Sequence, residues 1–354
     1  MKRSAAANVT RGRGALPSPR WDRIGRVKLI LDADISLPGA VDALHLPKTA
    51  LITDDGALWA VVNVETDDGW GTWVIRADED GLAHHTLSAA DVDDAFSAQT
   101  LIDAGGGEVA VALSTGALRV LDRSTAVVAD IVMRGEQQLR QADLHLTPST
   151  ARGHHQGAFR VRLGSRFGAR ALVPLQIDVA ARSASWGLPL DLDASAYPVD
   201  RYGSDDFDGN SGPAAPIIGD VATVGDGILV CTEGSDEFPL RYGMDFFTID
   251  RVGTDGRVTE RIHEQAGWKR MPGKHGWYGR ITSDGDALVL SPLFSSGEWK
   301  GKQRIFRLAD RSFDPVTLPR GASKSTVLDI RDGHAWLWDG GSRLLRCEVA
   351  SEKA

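Results

Sequence analysis

Residues 326–338 read Thr326-Val-Leu-Asp-Ile-Arg-Asp-Gly-His-Ala-Trp-Leu-Trp338, two short apolar runs hinged on Asp332-Gly333. An Asp-Gly pair between two strand-like runs is a two-residue hairpin signal, because both turn positions tolerate positive φ. The same punctuation recurs upstream, with a Gly opening a short apolar run at Gly56, Gly107, Gly157, Gly227 and Gly285. The intervals from Gly56 to Gly333 are 51, 50, 70, 58 and 48 residues. Between successive glycines the chain carries about four strand-like segments, and amphipathic helical periodicity is absent.

Repetition at roughly 40–50 residues with four strands per unit is the pattern of β-propeller blades. The sequence therefore predicts an all-β domain over residues 24–354, a six-bladed β-propeller closed by an N-terminal strand. The last unit holds only three strand candidates, Thr326–Ile330, His334–Trp338 and Arg343–Val349. A three-stranded unit leaves an open sheet edge. The spare candidate at Arg26–Asp32 supplies the fourth strand. The interval from Asp191 to Ile218 lacks periodicity and is read as a functional or disordered connection; a seventh, degenerate blade within it is the alternative.

Residues 1–23 form a basic arm that composition reads as a solvated tail. Residues 1–28 hold eight Lys or Arg against one acid, Asp22, whereas the whole chain carries a formal net charge of −8. So acidic a body argues against wrapping by nucleic acid except through the arm. No run approaches the roughly 18 apolar residues of a membrane span. Nor does the N-terminus carry the apolar core of a secretory signal. Cys231 and Cys347 each sit in an apolar run, which reads as two buried thiols in a reducing compartment, the cytoplasm.

The segment Thr66-Asp67-Asp68-Gly69-Trp70-Gly71-Thr72-Trp73 resembles the Asp-box of sialidase-type propellers, Ser/Thr-x-Asp-x-Gly-x-Thr-Trp. Thr66, Asp68, Thr72 and Trp73 match, and Trp70 stands where the pattern has Gly. In that family the box is a structural hairpin remote from catalysis, so the resemblance implies a hairpin here and no active site.

The richest candidate for contact with a partner is the connection into the fifth unit, with Trp268, Lys269, Arg270, Trp277, Tyr278 and Arg280. It pairs flat aromatic faces with oriented donors, the chemistry of interfaces and sugar contacts. By strand order the same face takes His45, Arg201, Tyr202 and Trp299. These residues predict a non-catalytic binding or scaffold module that offers a loop-rich face to a protein or glycan. The alternative is a hydrolase or lyase cleaving a carbohydrate or small ester at the channel mouth, with Asp143, His145 and Asp220 as acid–base candidates. The loop holding Asp206, Asp208 and Asn210 spaces oxygen donors as a calcium loop does. It departs from the calcium pattern at the turn glycine and the twelfth position, and a hydrated acidic turn is the simpler reading; otherwise no cofactor is expected. The adjacent pairs His84-His85 and His154-His155 point to opposite faces of a strand and do not make a metal site.

Overall fold

A computed structural model describes residues 27–39, 41–42, 50–92, 101–135, 156–161, 171–178, 181–186, 190–192, 196, 217–224, 227–234, 246–253, 255–266, 277–282, 287–292 and 304–351. Among these residues twenty-five strands form and no α-helix does. The protein is all-β.

Strand β1 (Val27–Ser36) opens the described chain, and the strands after it run as successive meanders among the described residues. The first holds β2 (Val41–Asp42), β3 (Ala50–Ile52), β4 (Leu58–Thr66), β5 (Gly69–Asp78) and β6 (Gly81–Leu87). The second holds β7 (Leu101–Gly105), β8 (Glu108–Ala112), β9 (Ala117–Leu121) and β10 (Val127–Gly135). The third holds β11 (Gln156–Val161), β12 (Ala171–Asp178), β13 (Ser183–Trp186) and β14 (Leu190–Asp191). The fourth holds β15 (Ile217–Val224), β16 (Gly227–Gly234), β17 (Phe246–Val252) and β18 (Val258–Ala266). The fifth holds β19 (Trp277–Ile281), β20 (Ala287–Pro292), β21 (Arg304–Arg307) and β22 (Ser312–Thr317). The sixth holds β23 (Thr326–Arg331), β24 (His334–Trp338) and β25 (Arg343–Ser351).

The expected pairing of the N-terminal strand with the last unit is present. β1 lies antiparallel on β25, with Val27 opposite Ser351, Leu31 opposite Cys347 and Ser36 opposite Arg343. It runs four residues past the predicted end at Asp32, and a bulge between Leu31 and Ala33 explains why its sequence shows no clean alternation. A bulge inserts one residue and reverses the faces beyond it. Before it, Val27 and Leu29 bury against the fifth meander; after it, Ile35 packs against the first.

Core residues lie between successive meanders rather than within one layer. Trp336 and Trp338 of β24 pack on Ile52 and Ile75 of the first meander. Trp59 packs on Leu101 and Val109 of the second, and Phe306 of the fifth packs on Ile249 of the fourth. Strands β4 and β23 are buried on both faces, from Leu58 to Val64 and from Thr326 to Ile330, because a sheet packs on either side.

Turn chemistry accounts for the repeating glycines. Gly107 and Gly333 adopt φ of +81° and +80°, and Asp332 before the latter is also left-handed at +50°. Positive φ at both central positions defines the tight hairpin turn that the strand twist demands. Gly157 differs: it lies inside β11, opposite Leu175.

Two strands were not anticipated as single units. β2 and β3 flank β4 on the same edge, at Val64 and Ala60, so the inner strand of the first meander is split. In the third meander the last strand forms as two pieces, β13 and β14, both on β12. The outermost strands of neighbouring meanders also touch edge to edge in parallel: Val27 with Val316, and Met133 with Ala184.

Candidate functional site

In an antiparallel meander the second-to-third turn and the exit to the next meander share one end. That end carries the loop-rich face the sequence singles out. Trp277, Tyr278 and Arg280 belong to β19, with Trp277 opposite Pro292 and Tyr278 opposite Ser291. The strand begins at Trp277, where consecutive aromatics favour an extended, paired backbone. Trp277 heads the strand at the predicted end. Asp220 lies in β15 opposite Cys231. His45, Asp143, His145, Arg201, Tyr202, Asp206, Asp208, Asn210, Trp268, Lys269, Arg270 and Trp299 lie outside the described residues, as do residues 1–23.

The described part of this face draws mainly on the first, second and sixth meanders. The hairpin β4–β5 is paired without interruption from Leu58 opposite Ala77 to Thr66 opposite Gly69. Its outer neighbour β6 reaches only to Thr72, where Leu87 pairs, so the tip from Glu65 to Trp70 projects beyond the rim strand. Thr66 donates its hydroxyl to the Gly69 carbonyl at 2.8 Å across the turn. Thr72 donates to the buried Asn63 side-chain oxygen at 2.9 Å. Trp73 stacks flat on His84, with centroids 4.0 Å apart and planes 10° apart. The Asp-box-like octapeptide is therefore a rigid hairpin, as its resemblance implies. Trp70 at its tip is 44% exposed, whereas Trp59 and Trp336 are at 0% and Trp338 at 1%.

Beside it, the exit from the first meander is clamped onto the second. Asp91 accepts from the Ser88 amide at 2.9 Å, the Ser88 hydroxyl at 2.8 Å and Arg119 at 2.8 Å. Burial opposes the Asp91 charge, but these donors outweigh it and hold the carboxyl below its ordinary range. Arg119 also grips Asp130 with two bonds of 2.9 Å, and this pairing raises its own pKa. His85 lies in the same seam; burial first, then the Arg119 charge, push its imidazole below the usual value. Asp339 in the sixth meander is likewise tied to Arg343 at 2.8 Å and to the Gly341 amide at 2.9 Å. Carboxylates saturated by arginines and backbone amides are poorly matched to proton transfer near neutral pH. They hold loops in place.

The opposite end of the meanders holds a second network that sequence reading missed. Arg331 donates to the Ile52 carbonyl and to Asp103, both at 3.0 Å, and pairs with Asp54. Asp55 takes Thr53 at 2.6 Å, Arg76 at 3.1 Å and Arg123 at 3.4 Å. Burial raises the Asp55 pKa, but the Thr53 and Arg76 bonds more than offset this and leave it lowered. The only hint of this network in the sequence was the recurrence of Asp at the hairpin turns.

Among the described residues no group of three or more His, Cys, Asp or Glu is arranged to hold a metal. No helix among them is long and apolar enough to cross a membrane.

The architecture defines an all-β, propeller-like protein. No protein family and no curated protein matches the chain. Among solved structures it is similar to Raptor from Chaetomium thermophilum, at 8% identity and a TM-score of 0.38. The match covers 92% of this chain and 29% of that one, so the chain spans under a third of that protein's length.

Proposed function

We propose that this chain is a non-catalytic binding or scaffold module. It is a six-bladed ring, fastened by β1, that offers the face of Trp70 and Trp277 to a partner. The observation that carries this reading is the exposure of Trp70 at 44% on a hairpin braced by an unbroken ladder. An exposed indole on a rigid strand costs little ordering on binding and supplies a large contact area. Two features support six blades: β1 supplies a fourth strand to the sixth meander, and apolar clusters join the sixth meander to both the first and the fifth. The buried Cys231 and Cys347, neither in a disulfide, support a reducing compartment, and we place the protein in the cytoplasm.

The test is capture of a partner from the native host by the full chain and by Trp277→Ala and Trp70→Ala. A partner held by the wild type and released by either variant, with the fold intact by circular dichroism, is the expected result. Turnover of a carbohydrate or ester by the purified chain, lost on Asp220→Asn, would overturn the reading in favour of a hydrolase.

A further inference from the structure

We propose that the connection from β22 to β23, residues 319–325, binds a phosphate monoester, with Arg320 and Lys324 gripping it over exposed backbone amides. This goes beyond the binding reading above and depends on neither Trp70 nor Trp277.

The connection reads Pro319-Arg-Gly-Ala-Ser-Lys-Ser325 and folds as two successive tight turns. The Ala322 amide donates to the Pro319 carbonyl at 3.0 Å, and the Ser325 amide donates to the Ala322 carbonyl at 2.9 Å. Gly321, at φ +90°, fills the third position of the first turn, where positive φ favours glycine. Ala322 is 5% exposed and packs into the core shared by β1, the fifth meander and the sixth, which anchors the loop from below. Arg320, Gly321, Ser323 and Lys324 are all exposed. The amides of Gly321, Ser323 and Lys324 are used in neither turn. Outward amides at successive turns are the donors from which backbone anion sites are built.

The charges agree with the backbone. From Pro315 to Leu328 the chain holds Arg320 and Lys324 and no acid. Lys28 of β1, also exposed, lies opposite Thr317 across the parallel pairing. The acids further along β1 are already taken, Asp34 by Arg343 at 3.1 Å and Asp32 by Arg346 at 3.5 Å. Arg76, Arg119, Arg261 and Arg331 each hold a carboxylate, whereas Arg320 and Lys324 form no ion pair among the described residues. Two unpaired cations on one loop repel each other and gain from a shared dianion. A phosphate monoester carries close to two charges and three acceptor oxygens, which matches two cations with amides beside them. A carboxylate or a phosphodiester brings only one charge. Arginine supplies a planar fork and lysine a point charge, the two ways in which side chains hold phosphate.

The probe is inorganic phosphate, titrated by calorimetry into the full chain in about 0.1 M salt, where charges beyond roughly 10 Å are screened. A glycine-flanked phosphoserine peptide and its unphosphorylated twin form the second arm. Arg320→Gln and Lys324→Gln are each expected to weaken binding about fivefold or more, and the double variant to abolish it. Arg134→Gln, which removes an exposed cation of the second meander, should leave the affinity within about twofold. The substituted side chains are exposed, and circular dichroism checks that the fold is retained. Tighter binding of the phosphopeptide than of phosphate supports the site and identifies a phosphorylated partner as the source; equal or weaker binding supports it and identifies a free phosphorylated metabolite. Absence of binding in both arms overturns the proposal. So does an unphosphorylated peptide that binds as well as its twin, or a loss on Arg134→Gln that matches the loss on Arg320→Gln. Failure on any of these counts leaves native-host capture through Trp277 as a separate question with its own answer.

Discussion

The carboxylate of Asp329 accepts the backbone amide of Ile52 at 2.7 Å, across 277 positions of sequence. Two residues further along β23, Arg331 donates to the carbonyl of the same Ile52 at 3.0 Å. Side chains spaced i, i+2 on a strand share a face. Here they satisfy both polar backbone groups of one residue on β3, where no neighbouring strand pairs with that edge among the described residues. The two inner strands meet through a side-chain substitute for a ladder.

Replacing Asp329 by Ala therefore orphans a buried amide. Loss of one partner of a buried hydrogen bond costs about 1–3 kcal/mol, with the high end for a charged acceptor. Asp329→Asn keeps an acceptor oxygen and is expected to cost less. Urea denaturation of both variants against wild type checks the order; equal stability of Asp329→Ala and wild type would show that the bond contributes nothing.

Arg331 and Asp103 lie in the sixth and second meanders, 3.0 Å apart with side-chain exposures of 16% and 10%. A largely desolvated pair of this kind couples more strongly than a surface pair. Its cycle of Arg331→Met, Asp103→Asn and the double variant is expected to give a coupling of about 0.5–3 kcal/mol. Additive single effects within error would reduce Arg331 to a residue that packs without bridging.

Gly107 tests the close approach of the first two meanders. A Cβ there would meet Arg123 Nε at 2.5 Å and Asp55 Oδ2 at 2.7 Å, whereas one at Gly106 would meet nothing within 4 Å. Both residues have positive φ, +81° and +66°, so the backbone strain of an alanine is comparable at the two sites. Gly107→Ala should consequently lose clearly more stability than Gly106→Ala, by about 1 kcal/mol or more. Matching losses in thermal denaturation would mean that Arg123 simply swings away.

How far the sequence reached follows from the range of the interactions concerned. The hairpin at Asp332-Gly333, the strands around Gly56 and Gly107, and the pairing of β1 with β25 were legible because turns and alternation are local, and because a three-stranded last unit asked for one more strand. Asp329 and Arg331 read as ordinary strand residues, since their partners lie hundreds of positions away. The bulge at Leu31–Ala33 hid the alternation of β1 and so its true length. At the loop-rich face Trp277 was legible as an aromatic, although its place in β19 was not. Trp70 was noticed only as a departure from the Asp-box pattern, and its exposure depends on how far the hairpin outruns β6.

Acid should loosen the seam between the first two meanders through His85. Its folded pKa lies below the ordinary histidine value of 6.5, with burial the largest cause and the Arg119 charge next. A base whose pKa falls on folding binds its proton more readily when unfolded. The native state is therefore favoured fully above about 6.5 and loses that advantage as pH drops toward the folded pKa. The carboxylates Asp55 and Asp91 are shifted down from 3.8, so their contribution persists through this window and disappears only in stronger acid. Thermal stability measured at pH 7.5 and 5.5 should then fall more for the wild type than for His85→Gln, which cannot titrate. An identical fall in the two would assign the pH response to other groups.

Shortening the N-terminus separates the arm from the closure strand. Val27 and Leu29 are buried at 0% and 1%, and β1 covers β25 from Ser351 to Arg343. Deleting residues 1–23 leaves all of these contacts in place, and stability should match the full chain. Deleting residues 1–36 strips β25 of its partner and bares an apolar edge that invites association between chains. It also removes Ile35 from the core shared with the first meander and Leu29 from the core shared with the fifth, so both seams of the sixth meander weaken together. The expected outcome is a soluble, cooperatively folded protein for the first deletion and an aggregated or unfolded one for the second, read by size-exclusion chromatography and circular dichroism. A monomeric, native-like protein lacking residues 1–36 would show that the sixth meander holds its place without β1.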